Sequence, residues 1–82
     1  MAGYRIEVRG TVQGVGFRPW VCRLARRMGI AGRVRNDPRG VSIEAFASKA
    51  VLGRFIDELR TDPLPSAWIA KLRETTIPDE DL

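Results

Sequence analysis

The 82-residue chain contains no histidine and only one cysteine, Cys22. A Cys/His zinc set cannot be assembled from it, and one thiol cannot form an internal disulfide. Without an imidazole, neither a Ser-His-Asp nor a Cys-His arrangement has its base. Lysine is scarce too: twelve of the fourteen basic residues are arginine, against ten acids, for a formal net charge of +4. Arginine favours bidentate contact with an oxyanion over diffuse attraction, so the surplus permits an anionic ligand without demanding one. There is no apolar run of membrane-spanning length and no signal-peptide pattern, and the expectation is a cytoplasmic domain with no membrane partner. What remains is ordinary for one small folded domain: 44% hydrophobic and 29% charged residues. Cys22 lies beside Val21 in an apolar periodic run and reads as a small, buried packing residue.

The most informative stretch is Gly10–Trp20, G-T-V-Q-G-V-G-F-R-P-W. Gly10, Gly14 and Gly16 stand so close together that unusual dihedrals or a close backbone approach are expected. Pro19 suits a first helical position, and the residue before a proline is pushed from helical backbone, which places Arg18 at the mouth of a helix. A helix mouth gathers free N–H groups and the positive end of the dipole beside the Arg18 guanidinium. That combination suits a small oxyanion such as phosphate. A glycine-rich turn before a helix also serves as a plain connection. The stretch is not a P-loop, since no Gly-Lys-Ser/Thr follows, and it lacks the dinucleotide-binding G-x-G-x-x-G spacing.

The rest of the chain supplies the frame. Tyr4, Ile6 and Val8 alternate with Arg5, Glu7 and Arg9, which predicts a half-buried strand. Trp20, Val21, Leu24, Ala25 and Met28 fall at helical spacing, with Arg23, Arg26 and Arg27 on a solvated face and Gly29 as the stop. Ala31–Asn36 reads as a strand, Asn36–Gly40 as a hairpin turn, and Val41, Ile43, Ala45 and Ala47 as the next strand. Val51, Leu52, Phe55, Ile56 and Leu59 mark a second helix, capped by Ser48, weakened at Gly53 and ended by Asp62-Pro63 and Pro65. Ala67–Thr76 holds the last apolar cluster, Trp68, Ile69 and Leu72, and should be a strand. Residues 4–76 form the expected ordered core of a single 1–82 domain, with 77–82 a frayed tail. The order β-α-β-β-α-β, each element with one apolar face, predicts an α+β ferredoxin-like split β-α-β sandwich. It has a four-stranded antiparallel sheet with both helices on one face. That topology lets Arg18 and Asn36 approach one site.

Gly10–Arg18 resembles the signature of the acylphosphatase family, and G-R-V-R-N-D-P-R-G-V at Gly32–Val41 resembles its second motif. The resemblance runs from Tyr4 to about Arg73. It implies a small ferredoxin-like enzyme that hydrolyses the carboxyl–phosphate bond of acyl phosphates without metal or cofactor. Gly14, Val15, Gly16, Phe17 and Arg18 would form the phosphate cradle, Arg18 would bind the phosphate, and Asn36 would hold the attacking water. Pro19-Trp20 after the arginine, and Arg33 where stand-alone members carry an aromatic, look most like the N-terminal domain of hydrogenase-maturation carbamoyltransferases of the HypF type. The substrate implied there is carbamoyl phosphate, and the partners are further domains of a larger protein.

Two other classes remain open. One is a catalytically silent phosphate-binding or docking domain. The other is a sheet-face nucleic-acid binder. That reading would use Tyr4 and Phe46 as paired aromatics, but the motif of such binders is missing, and no nucleic-acid partner is expected.

Overall fold

The alternation at Tyr4–Arg9 does make a strand. The computed structural model describes residues 2–12, 14, 16–61 and 68–78, and in it this strand, β1, spans Ala2–Thr11. It is followed by α1 (Phe17–Met28), β2 (Ala31–Asp37), β3 (Gly40–Ala47), α2 (Lys49–Thr61) and β4 (Trp68–Ile77). The strands pair antiparallel in the order β2-β3-β1-β4. This is the ferredoxin-like α+β architecture that the element order implies.

Parity along the strands decides what is buried. Ile6 and Val8 on β1 stand opposite Ile43 and Val41 on β3, and all four are buried in one cluster with Val21 and Leu24 of α1 and Leu52, Phe55, Ile56 and Leu59 of α2. Both helices therefore cover the same sheet face. Burying each such side chain contributes ~1.5–3 kcal/mol, which is how a chain this short offsets its ordering entropy. Residues of the other parity, Arg5, Glu7 and Arg9 on β1 with Ser42 and Glu44 on β3, lie on the face without helices.

The helices stop and start where their capping residues dictate. Gly29 is left-handed at φ 71°, and the N–H groups of Gly29 and Ile30 donate to the carbonyls of Arg26 and Ala25 at 3.2 and 2.9 Å. This is the Schellman pattern that satisfies the last carbonyls of α1. Ser48 caps α2: its Oγ accepts from the Val51 N–H at 3.3 Å and its carbonyl from the Leu52 N–H at 3.0 Å. The expected breakers Asp62, Pro63 and Pro65 lie outside the described residues, as do Ala67 and residues 79–82.

Three readings change. Cys22 is exposed and not a packing residue, because the buried stripe of α1 runs through Phe17, Val21 and Leu24 and leaves position 22 beside it. Trp68 is 65% exposed and stands apart from the apolar cluster that Ile69 and Leu72 join. Its partner across the sheet is Thr11, on the face that lacks helices. Tyr4 and Phe46 do not share a face. Tyr4 packs on the core opposite Ala45, whereas Phe46 lies on the other side, 2% exposed, against Gly3.

Candidate functional site

The loop between β1 and α1 depends on glycine for its dihedrals. Gly14 and Gly16 have φ of 74° and 81°, and a Cβ at either would meet nothing within 4 Å. The requirement is conformational, since left-handed backbone costs an L-residue ~1–2 kcal/mol. Gly16 is the residue that turns the chain into α1, at φ 81°, ψ 17°, with no side-chain cap and no acid in the first helical turn. The first helical hydrogen bond runs from the Trp20 N–H to the Gly16 carbonyl at 3.2 Å. By helix geometry the Phe17 and Arg18 N–H groups have no acceptor within the helix, and Pro19 has no N–H to satisfy. The uncompensated end of the dipole and two N–H groups with no acceptor within the helix thus lie in the turn that carries the exposed Arg18.

This corrects the placement of Pro19. It occupies the third helical position, not the first, and Arg18, expected at the helix mouth, is the second residue of α1. No backbone N–H in this turn has an acceptor within the helix before Trp20, so proline is tolerated anywhere in it. The left-handed Gly16 sets the entry, and the pre-proline bias at Arg18 is overcome.

The five cradle residues divide by what they present. Phe17 is 1% exposed, with its ring centroid 5.6 Å from that of Trp20, so its side chain anchors the turn in the core and only its backbone remains for a ligand. Gly14 and Gly16 are exposed, as is the Arg18 side chain. Val15 lies outside the described residues.

Asn36 is exposed near the end of β2, opposite Val41, and so has the parity of the helix-covered face. Its relation to Arg18 follows from a groove of about 180 Å³ between α1 and β2, whose lining includes Cys22, Ala25, Ile30 and Val34. Arg18 stands one helical turn before Cys22, and Asn36 two residues beyond Val34 on the same side of the strand. Because β2 runs back along α1, the start of α1 and the end of β2 lie at the same end of this pair of elements. The fold thus brings Arg18, Asn36 and the Gly16 cap to one end of the molecule. Arg33 has the opposite parity: it faces away from Asn36 and pairs with Glu44 at 3.1 Å. Its side chain is therefore on the other face of the strand from that of Asn36, although Arg33 also lines the groove.

Arg39 was not singled out in the sequence. The turn after Asn36 places it beside Gly10, Thr11, Val12 and Pro38 around a cavity of about 190 Å³ that adjoins the glycine loop. An arginine at the tip of a two-residue turn, just past a candidate polar residue, is the signal that could have found it. The preceding carboxylate, Asp37, is not available as a base. It accepts from the Arg39 backbone N–H at 2.8 Å and from Arg9 Nη1 at 3.1 Å. The Arg39 amide first and the Arg9 guanidinium next outweigh partial desolvation and hold its carboxyl below the ordinary value of 3.8.

Known proteins resemble this chain in sequence and in fold. The acylphosphatase family model matches residues 4–82. The carbamoyltransferase HypF2 of Cupriavidus necator is 56% identical over 70 residues, which is 85% of this chain but 9% of that protein. An acylphosphatase of Pediococcus pentosaceus is 43% identical over 79 residues, 95% of this chain and 88% of its own length. The crystal structure of full-length HypF in a phosphate- and nucleotide-bound form superposes with a TM-score of 0.89 at 30% identity, over 93% of this chain and 10% of that one. The chain therefore spans about a tenth of the carbamoyltransferases it matches and nearly all of the small acylphosphatase.

Proposed function

The chain belongs to the acylphosphatase family, and from that premise we propose that it hydrolyses the carboxyl–phosphate bond of small acyl phosphates, carbamoyl phosphate among them. The observation that carries the proposal is the entry to α1: left-handed Gly16, two first-turn N–H groups without helical acceptors and the exposed Arg18 guanidinium, at the same end as Asn36. Carbamoyl phosphate is favoured as a substrate because the carbamoyltransferase HypF2 is 56% identical to this chain. On the same ground we propose that the chain works as one domain of a larger carbamoyltransferase.

In this mechanism the backbone N–H groups and the Arg18 fork hold the three phosphoryl oxygens and offset the charge that builds on them. The Asn36 amide orients a water in line with the scissile bond. Water oxygen bonds to phosphorus, the bond from phosphorus to the carboxyl oxygen breaks, and its electron pair leaves on the carboxylate or carbamate. The leaving group is a weak base and needs little protonation, so phosphoryl transfer here is mainly positioning and electrostatics. The chain has no histidine, and Asp37 is engaged by Arg9 and Arg39. The water's proton therefore passes to an oxygen of the substrate's own phosphoryl group.

The test is release of inorganic phosphate from acetyl and carbamoyl phosphate by the 82-residue chain and by Arg18→Ala. The alanine variant should keep the circular dichroism spectrum and lose turnover. Lysine at the same position should restore little, because it lacks the planar fork. Near-normal turnover in Arg18→Ala would remove Arg18 from the site, and an inactive parent chain would favour a silent phosphate-binding domain.

A further inference from the structure

The sheet face without helices is strongly basic. Strand parity and the ion pairs place Arg5, Arg9, Arg33, Arg35, Lys71 and Arg73 on it, with Arg39 at its rim, against three acids, Glu7, Asp37 and Glu44. Among the described residues this face therefore carries a net charge of +4. The three acids are already engaged. Glu44 pairs with Arg5 at 2.9 Å and Arg33 at 3.1 Å, and Arg9 takes Glu7 at 3.0 Å and Asp37 at 3.1 Å. Arg35, Arg39, Lys71 and Arg73 are exposed and make no ion pair among the described residues.

Three of these four converge. Arg39, Lys71 and Arg73 line a cleft of about 110 Å³ with Arg9 and Glu7. Lys71 and Arg73 are two apart on β4, opposite Arg9 and Glu7 of β1. Beside them on the same face, where β1 and β4 slip register at Arg9/Gly10, Trp68 stands 65% exposed opposite Thr11. An exposed tryptophan next to a cluster of unpaired cations is an uncommon combination on a surface with no partner.

We propose that this face docks an acidic, extended segment of a partner protein, with its carboxylates in the Arg9–Arg39–Lys71–Arg73 cleft and an apolar side chain against Trp68. Charge complementarity selects an acidic occupant. The two-residue repeat of Lys71 and Arg73 matches the side-chain spacing along an extended chain. Guanidinium forks suit carboxylates. A single-stranded nucleic acid fits less well, because it stacks successive bases on several aromatics, and Trp68 is the one exposed aromatic among the described residues. The surface lies on the sheet face opposite to Arg18 and Asn36 and meets the cavity beside the glycine loop at Arg39, which lines both.

The experiment is fluorescence anisotropy of a labelled peptide of alternating glutamate and leucine, titrated with the full chain at low and physiological salt. Binding should weaken as salt rises. The double reversal Lys71→Glu/Arg73→Glu should lower affinity by about tenfold or more. Trp68→Ser should lower it with little change in salt dependence. A charge-matched reversal on α2, Arg54→Glu/Arg60→Glu, should leave binding unchanged, and acyl-phosphate hydrolysis should be the same in all these variants. Equal loss from the α2 reversal would mean that net charge alone binds the peptide. Tighter binding of labelled oligodeoxythymidine than of the peptide would mean a nucleic-acid surface. Either result, or no binding, overturns the proposal while leaving the hydrolase reading intact.

Discussion

At the scale of single residues, Gly16 and Asn36 do different work. Gly16 supplies a dihedral that other residues adopt only under strain, and it thereby aims the first N–H groups of α1 outward. Asn36 supplies a side chain. If it orients the attacking water, its loss is felt in the transition state more than in the bound ground state. Asn36→Ala should therefore lower kcat on acetyl phosphate by about a hundredfold or more, the scale of losing one transition-state donor, while the inhibition constant of inorganic phosphate changes by less than about threefold. A parallel loss of both, or a fall in Tm with activity kept, would make Asn36 a turn residue. Arg18 and Asn36 could be proposed from the sequence because glycine spacing and a hairpin signature mark backbone needs that few residue types meet. Pro19 was misplaced by one rule of thumb, since proline is permitted throughout a turn whose N–H groups have no helical acceptor. Arg39 gave no such mark: nothing in its local pattern says that the turn folds back toward the glycine loop.

At the scale of elements, the β2–β3 connection joins the site to the charged face. Asp37 closes the hairpin opposite Gly40, with Pro38 and Arg39 as the turn, and its carboxylate ties the turn to Arg9 of β1. Its carboxyl is held below 3.8, first by the Arg39 amide. That of Glu44 is held below 4.5, first by its hydrogen bond from Arg5 and then by Arg33, against some desolvation. A depressed folded value means that the native state favours the charged form. The stability each carboxylate contributes is present above its ordinary value and is lost as pH falls through the lower folded one. Asp37→Asn should thus lower Tm at neutral pH, and the gap to the parent should close on acidification below about pH 4. Thermal unfolding followed by circular dichroism across that range decides it; a gap that widens in acid would reverse the sign. Hairpins and helices were readable because their punctuation is local. The ion pairs that cross three strands were not, since register is a property of the assembled sheet.

At the scale of the molecule, the topology was legible because every element carries one apolar face and few arrangements bury six of them together. The two sheet faces were less so. Tyr4 shares the parity of Ile6 and Phe46 does not, which dissolves the aromatic pair that a sheet-face RNA reader needs. The same parity bears on substrate choice. Arg33, which stands where an aromatic would mark a stand-alone acylphosphatase, has the parity of the open sheet face and pairs there with Glu44. Of the two aromatics near the glycine loop, Phe17 is buried and Trp20 is half-buried against it, 5.6 Å between centroids. Neither offers a broad free face for stacking a bulky acyl group. Benzoyl phosphate should therefore gain little over acetyl or carbamoyl phosphate. A small pocket discriminates by ~1–3 kcal/mol per methylene, so the specificity constants of the three substrates should lie within about two orders of magnitude. Measuring kcat/KM for all three on the same preparation tests this. A strong preference for benzoyl phosphate would require an aromatic platform that neither Phe17 nor Trp20 provides, and would place this chain with the general acylphosphatases instead of the carbamoyltransferase domains.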